Sequence, residues 1–185
     1  TVAPWTVPFS VEPATTSVVA GQGFRWFEVA LTGPGGAVTR VVRELVANTD
    51  YVVAKTTSDP KVVAIVPLKP LKQLTSYMAV VTNQASDANG NNATPDQTYF
   101  LTQRTSPLCT GGVSTDPLLP NATACALEPL RQLTNAQEAA AASAGVDRSK
   151  IVVSFVATTQ SITPVLQATQ QQNQPSPVTV ANSGQ

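Results

Sequence analysis

The sequence contains no histidine among its 185 residues. Histidine is the usual general base of a serine hydrolase triad, a common metal ligand and the side chain that titrates nearest to neutral pH. Its absence excludes all three kinds of histidine-based site from these residues. The sequence also lacks a Gly-x-Ser-x-Gly nucleophile elbow and a phosphate-binding loop, because the glycines at 33–36 have neither the spacing nor the following helix. We therefore assign no catalytic residue, no metal ligand and no cofactor to the chain.

Charge is also scarce. Charged residues make up only 12% of the sequence, and 11 basic residues balance 11 acidic ones. Nucleic acid and anionic membrane surfaces both bind proteins with a clear basic excess, so we expect neither as a partner. The acidic residues are scattered singly, which gives no support for a carboxylate pair of the glycosidase kind.

The sequence contains no apolar run long enough for a transmembrane helix and no secretory signal. We therefore predict no transmembrane segment. We expect the chain to be a mature fragment whose export signal lies outside these residues.

Cysteine occurs twice, at Cys109 and Cys125, and the pair is not in a Cys-x-x-Cys arrangement. Two thiols are too few for a thiolate zinc site, and the Gly- and Pro-rich loop between them suits a local disulfide. Such a crosslink would contribute roughly 3 kcal/mol in the chain-entropy account, and it would favour an oxidising compartment. The alternative is a pair of unrelated buried thiols.

Short segments of strand-like composition follow one another in the first half of the chain. A Pro-containing edge strand is predicted at 6–11, followed by strands at 24–31, 38–45, 51–54 and 62–66. In the second strand, Arg25, Phe27, Val29 and Leu31 are predicted to face the core, and Trp26 to cover the opposite surface. Strands of this length, separated by turn signals, are typical of an antiparallel β-sandwich.

The stretch 67–102 is predicted to form a β-hairpin or a short crossover at the centre of the sandwich, with strands at 74–81 and 98–102. The polar turn between them carries three oxygen-bearing side chains, those of Asp87, Asn89 and Asn91. Such side chains at alternate positions are also potential calcium ligands, but the bidentate acid that closes a calcium loop is missing. A turn in which Gly90 supplies a positive φ is therefore the preferred interpretation.

The pattern changes after residue 104. Residues 105–126 are predicted to form a loop closed by the two cysteines, since so long a loop in a compact domain indicates an insertion. A helix is predicted at 127–144, with Pro129 in its first turn and Gly145 as its C-terminal stop. A strand at 151–157, a short helix at 163–170 and a Gln/Asn-rich linker at 171–185 complete the prediction.

The long helix has one apolar stripe by its 3.6-residue period. The stripe is formed by Leu127, Leu130, Leu133, Gln137, Ala140, Ala141 and Ala144. We expect it to pack on the chain's own sheet. The alternative is docking of a partner domain through Arg131, Gln132 and Gln137.

Three aromatic side chains, those of Trp5, Trp26 and Tyr51, have two interpretations. They are candidates for contact with a ligand or partner, because aromatic rings stack on sugars and insert into lipid. The alternative for the two tryptophans is the ordinary one, in which they belong to the core or cover a sheet edge.

Several phrases go beyond a generic β composition. They are REL at 43–45 with DYVV at 50–53, IVPLKPL at 65–71 with TSY at 75–77, the turn at 87–91, LEPLR at 127–131 with NAQE at 135–138, and VSF at 153–155 with TTQS at 158–161. In this order the chain resembles the N-terminal domain of the bacterial virulence-factor lipases, which are exported and often lipid-anchored lipases or lysophospholipases of Gram-negative bacteria. The resemblance covers residues 1–170, and the part at 67–102 also resembles bacterial Ig-like domains.

Pattern and resemblance together imply a mainly β fold, an Ig-like antiparallel β-sandwich with a helical insertion. The expected organisation is a sandwich core at 1–104, the disulfide-closed loop at 105–126, a helix–strand–helix extension at 127–170 that completes the same domain, and a linker at 171–185 to a C-terminal hydrolase domain. The family's catalytic Ser, Asp and His belong to that hydrolase domain, and no position here matches their motif.

The resemblance therefore implies a non-catalytic accessory or scaffold domain of an exported serine lipase or lysophospholipase. The expected location is extracellular or on the outer-membrane surface of a Gram-negative bacterium. The expected partner is the chain's own C-terminal hydrolase domain, with lipid as a second partner. Two other classes stay open: a stand-alone lipid- or glycan-binding module, and an Ig-like domain of a surface-layer or adhesin protein.

Overall fold

The structure, a computed structural model, describes residues 3–161 and 163–173, and positions 174–185 of the predicted linker lie outside the described residues. The strands are β1 (Trp5–Pro8), β2 (Phe24–Leu31), β3 (Val38–Glu44), β4 (Tyr51–Lys55), β5 (Val62–Pro67), β6 (Ser76–Thr82), β7 (Cys109–Thr110), β8 (Val113–Ser114) and β9 (Ile151–Thr158). The α-helices are α1 (Gln97–Thr102), α2 (Asn121–Ser143) and α3 (Thr163–Gln172). The fold is thus mainly β, as predicted.

Seven of these strands form a two-sheet antiparallel sandwich. One sheet has the order β1-β5-β4 and the other has the order β3-β2-β6-β9, while β7 and β8 form a separate small hairpin. The architecture is Ig-like, but β2 lies in the sheet with β3, β6 and β9, whereas the second strand of a constant-type Ig domain lies beside the first and the fifth. β1 and β9 are the terminal strands of their sheets, and the groove described below opens between them.

The main core lies between the two sheets and is centred on Trp26, which is fully buried. The ring centroid of Trp26 lies 5.1 Å from that of Trp5, 5.7 Å from that of Tyr51 and 6.0 Å from that of Tyr77. The prediction that Trp26 covers an outer surface of the sheet was therefore wrong. Both faces of β2 are buried, so an alternating pattern could not reveal which face meets the second sheet.

The outer face of the four-stranded sheet is covered by the helix α2, which creates a second core. Phe27, Met78 and Val80 of the sheet meet Ala140 and Ala141 of the helix there. The long helix thus packs on the chain's own sheet, as expected, and it converts a sheet with one covered face into one buried on both faces.

Residues 98–102 do not form the predicted second strand of a hairpin. They lie in the helix α1, which is capped by Asp96, because its carboxylate accepts a hydrogen bond from the backbone N–H of Tyr99 at 2.8 Å. The position beside β6 is taken by β9, with Ala79 opposite Phe155. The strand that pairs with β6 is therefore β9, from much further along the chain, and not residues 98–102, which are closer in sequence.

The predicted loop at 105–126 is more regular than expected. It contains the β7–β8 hairpin, and α2 begins at Asn121 rather than at 127, so Pro129 lies inside the helix and not in its first turn. A disulfide joins Cys109 of β7 to Cys125 of α2, as predicted. Gly145 has a φ of 81° just after the helix, which agrees with its predicted role as the stop.

The face that α2 buries only partly matches the predicted stripe. Ala140 and Ala141 are buried as predicted, whereas Leu130 is 44% exposed and the buried residues also include Arg131 and Glu138. Ion pairs satisfy these two buried charged groups, so their polarity hid part of the buried face.

Candidate functional site

A large concave feature of the described residues is an apolar groove of about 510 Å³ between β1, β9 and the segment 85–96. We call it the edge groove. Its apolar lining includes Phe9, Val11, Ala85, Ala93, Val153 and Phe155. The edge groove arises because the terminal strands of the two sheets do not close the sandwich along this side.

Phe155, which lines the edge groove, belongs to a cluster of aromatic rings. The ring centroids of Trp5 and Phe155 lie 5.4 Å apart, and Trp5 in turn packs on the buried Trp26. Further along, Phe9 lies on the side of the groove and its ring is 6.2 Å from that of Phe24 in the core. These ring contacts show that the groove opens directly onto the sandwich core.

The edge groove has a polar rim at the turn of residues 87–91. Pro13, which follows β1, forms a bridge with Asp87 there. The carboxylate of Asp87 accepts hydrogen bonds from the backbone N–H groups of Asn89 and Asn91, at 2.9 and 2.8 Å, and from the Asn91 side chain at 2.8 Å. The side-chain bond from Asn91 is the main reason that the pKa of Asp87 is lowered, so the rim carries a negative charge at neutral pH.

The same hydrogen bonds bear on the calcium alternative. Asp87 uses its carboxylate to hold its own turn, in which Gly90 has a φ of 83°. Within residues 3–161 and 163–173 there is no group of three or more His, Cys, Asp or Glu side chains that could hold a metal ion. What the structure describes at residues 87–91 is the geometry of an Asx turn.

The three aromatic candidates for ligand contact differ in their exposure. Trp26 and Tyr51 are both 0% exposed, which leaves no surface for a ligand, whereas Trp5 is half-buried and packs against Phe155 of the edge groove. The hydroxyl of Tyr51 donates to the carbonyl of Phe24 at 2.9 Å and accepts from the N–H of Gly21 at 3.1 Å. Burial raises the pKa of Tyr51 to about 12, as befits a hydroxyl that serves the core.

A polar network lies between α2 and the sheet. The hydroxyl of Tyr99 is 3.0 Å from a carboxylate oxygen of Glu138 and 2.9 Å from Oγ of Ser154, and Ser154 donates to Oε1 of Gln137 at 2.8 Å. Nε of Arg148 donates to the other oxygen of Glu138 at 2.7 Å. We call this set of five residues the α2 network.

The α2 network holds a serine and a carboxylate but is not arranged for nucleophilic chemistry. Ser154, Tyr99 and Glu138 are all buried, and each is hydrogen-bonded within the network, so no substrate can reach the serine. Burial raises the pKa of the Glu138 carboxyl, and the opposing hydrogen bond from Arg148 does not fully offset it. The network therefore holds α2 in register on the sheet.

A second cluster fastens the disulfide hairpin to α2. The Glu128 carboxylate accepts from Arg131 at 2.6 Å and from the backbone N–H of Leu108 at 2.7 Å, and Arg131 also donates to the carbonyls of Arg104 and Thr105. The hydrogen bond from Arg131 is the main cause that lowers the pKa of Glu128 to about 2.

These contacts decide between the two interpretations of the α2 stripe. Arg131 is buried in this second cluster and Gln137 belongs to the α2 network. Gln132 is exposed and donates to Glu128 at 3.3 Å. These side chains serve the domain itself, which leaves no polar docking face along this line of the helix.

A charged chain of residues runs across the end of the sandwich from which α3 leaves. Glu28 is buried and accepts from Arg43 at 3.0 Å and from Lys72 at 2.9 Å, and Arg43 continues to Asp50 at 3.2 Å. Burial alone would raise the pKa of Glu28, but the hydrogen bonds from these two cations hold it below its ordinary value. We call this region, with residues 68–75 and α3, the exit end.

Sequence reasoning did not identify the edge groove. Phe9, Val153 and Phe155 were read as ordinary strand residues, because nothing local indicates that β1 and β9 become neighbouring sheet edges. The only available signal was Pro8, since proline in a strand indicates a sheet edge. No helix in the part of the chain that the structure describes is long and apolar enough to cross a membrane.

The fold and its clusters thus define an Ig-like β-sandwich domain whose buried polar groups serve packing and whose open feature is an apolar groove. Over residues 1–185 the chain matches the family described as bacterial virulence factor lipase N-terminal, and it belongs to that family. The resemblance seen in the sequence is thereby confirmed. A comparison with curated proteins found no match.

Proposed function

We propose that the chain is a non-catalytic accessory domain of an exported bacterial serine lipase, and that a C-terminal hydrolase domain of the same protein packs against it. One observation carries the proposal: the whole chain matches an N-terminal lipase family, yet its 185 residues contain no histidine for a Ser-His-Asp triad. The buried and saturated α2 network supports the same conclusion, because its Ser154 is used for packing.

The exit end supports docking of the following domain. Three large apolar side chains are exposed there: Leu68 by 50%, Leu74 by 73% and Leu166 by 64%. Leu74 follows Gln73, whose side chain is hydrogen-bonded to Thr163 at the start of α3. Exposed apolar side chains grouped where a chain leaves a domain are typical of an interdomain contact.

The disulfide supports an extracellular setting for the parent protein. A structural Cys109–Cys125 bond persists in oxidising compartments and is rare in the cytosol. The glycan- or lipid-stacking alternative through Trp5, Trp26 and Tyr51 receives no support from the burial of the last two. No feature favours the adhesin alternative, which the genes or domains flanking the chain would reveal through tandem copies.

The proposal makes a direct prediction for activity. The isolated 185-residue chain should hydrolyse p-nitrophenyl butyrate no faster than buffer alone, because it contains no histidine to serve as a base and its Ser154 is buried. The assay should be repeated after a second chromatographic step. Turnover that follows the protein through both steps contradicts the non-catalytic assignment.

Docking is tested in the full lipase with Leu74→Asp and Leu166→Asp, which place charges in the proposed contact. We expect protease cleavage between the two domains to become several times faster and the thermal midpoint of the hydrolase domain to fall. Leu118→Asp is the matched control, because Leu118 is 91% exposed in the loop between β8 and α2 and belongs to no part of the exit end. Equal behaviour of all three variants would show that the exit end is not the contact.

A further inference from the structure

We propose that the edge groove binds one acyl chain of an uncharged lipid, such as a monoacylglycerol. The inference does not depend on docking of a hydrolase domain, because the groove lies along β1 and β9 and not at the exit end. It assigns a ligand to residues that lie outside the aromatic trio considered above.

The first argument is size and lining. A volume of about 510 Å³ lies within the range of roughly 300–1,000 Å³ that is usual for small-molecule sites. The lining is mainly apolar and includes Phe9, Val11, Val153 and Phe155. Trp5 packs against Phe155, so an acyl chain in the groove would lie close to the Trp5 ring.

The second argument is charge. Asp87 and Asp96 line the groove, and among the described residues that line it there is no lysine or arginine. A fatty-acid carboxylate or a phosphate would face these acids without a cation to offset them. The hydroxyls of a glycerol headgroup can instead donate to Asp87 and pair with Asn92 at the polar rim. The rim therefore selects an uncharged headgroup.

The third argument concerns the main rival, an extended peptide that adds to a sheet edge. Strand addition requires a row of free backbone donors and acceptors. β1 has only four residues and ends in Pro8, which has no N–H, and Pro13 and Pro95 also line the groove. The β1 side of the groove thus offers side chains rather than a continuous backbone ladder, which favours an acyl chain there and leaves a competing peptide only the free edge of β9.

The test uses 9,10-dibromostearoyl glycerol and the tryptophan fluorescence of the 185-residue protein. Bromine quenches tryptophan at contact, and the Trp5 ring packs against Phe155, which lines the groove. We expect saturable quenching below the concentration at which the lipid aggregates. The charged analogue, 9,10-dibromostearate, should bind at least about tenfold more weakly at pH 7.5 than the uncharged lipid. The variant Asp96→Asn, which retains a helix cap, should reduce the difference in affinity between the two lipids.

A matched pair of variants locates the site. Val11→Asp places a charge in the groove wall, and Val113→Asp places one on the disulfide hairpin; the two valines are 58% and 57% exposed, so neither change disturbs the core. Val11→Asp should weaken binding at least about tenfold, and Val113→Asp should leave it unchanged. Absence of quenching, equal binding by both variants, or a charged analogue that binds as tightly as the uncharged one overturns the proposal.

Two further outcomes would assign another occupant to the edge groove and would also overturn the acyl-chain proposal. One is a Val/Thr-rich extended peptide that binds to the protein when the lipid does not. The other is a wild-type dimer in light scattering that Val11→Asp converts to a monomer, which would make the groove an interface between two copies.

Discussion

Glu138 shows how a single residue can be unusual without being catalytic. Its side chain is 2% exposed, yet it lies on the helix face that meets the sheet. The Tyr99 hydroxyl donates to one oxygen of the Glu138 carboxylate at 3.0 Å, and Nε of Arg148 donates to the other oxygen at 2.7 Å. Burial nevertheless raises the pKa of Glu138, because the loss of solvation outweighs these two hydrogen bonds.

Glu138→Gln should reveal this through pH. A carboxyl whose pKa is higher in the folded state binds more protons in the folded protein than in the unfolded chain. Its contribution to the free energy of unfolding is therefore fully present at low pH and is lost as pH rises through the folded pKa. The unfolding free energy of the wild type, relative to that of Glu138→Gln, should therefore fall by about 1 kcal/mol from pH 4 to pH 7, the size of one buried hydrogen bond.

The measurement is urea unfolding of both proteins across that pH range. Tyr99→Phe is the companion variant, because it removes a hydrogen bond that lowers the pKa of Glu138. It should enlarge the pH dependence of the unfolding free energy. A difference between wild type and Glu138→Gln that stays flat, or grows as pH rises, would refute the assignment.

At the scale of elements, the disulfide hairpin and α2 act as one unit. Cys125 lies in the first turns of α2, and three residues further along Glu128 accepts from the backbone of Leu108 in the hairpin. The covalent bond and the ion pair with Arg131 thus fix the start of α2 to the chain that precedes it. This explains why the helix begins at Asn121, earlier than residue 127, where sequence signals placed its start.

Cys109→Ser with Cys125→Ser should lower the free energy of unfolding by roughly 3 kcal/mol, since the broken crosslink lets the unfolded chain gain loop entropy. Each single Cys→Ser variant should lose nearly as much as the pair, because either change removes the same bond. Chemical denaturation with and without reductant measures this. If the losses of unfolding free energy in the two single variants added up to the loss in the double variant, a shared disulfide bond would be contradicted.

At the scale of the whole molecule, the ion pairs make the fold sensitive to acid. The pKa values of six carboxyl groups are lowered in the folded state, those of Glu28, Asp50, Asp87, Asp116, Glu128 and Asp147, against one that is raised, that of Glu138. A carboxyl group with a lowered pKa contributes stability above its unfolded pKa and loses it as pH falls through the folded value. The net effect of acid is therefore destabilising.

We expect the free energy of unfolding to fall by roughly 2–4 kcal/mol between pH 6 and pH 3, mainly through Glu28 and Glu128, whose side chains are largely buried. Calorimetric thermal midpoints across this range test the expectation. Glu128→Gln should remove part of the slope, because its carboxylate no longer titrates. A wild-type midpoint that rises on acidification would contradict the expected sign.

Local chemistry determined much of this protein. The strands at β2 to β6, the stop at Gly145, the strand β9 and the helix α3 follow from β-branched runs, turn residues and caps that act over a few neighbours. The absence of histidine, read from the sequence alone, already excluded a triad. The pairing of Cys109 with Cys125 also followed, since two cysteines allow one intramolecular partner each.

Only the tertiary structure decided which elements meet. Residues 98–102 carry a strand-like pattern but form α1, because β9 pairs with β6 in the place that they were predicted to take. The face of α2 follows from ion pairs that bury Arg131 and Glu138, which a hydrophobic period cannot anticipate. The edge groove exists because β1 and β9 end their two sheets on the same side. Such long-range pairing depends on burial across the whole fold, and the preferences of individual residues for helix or strand do not predict it.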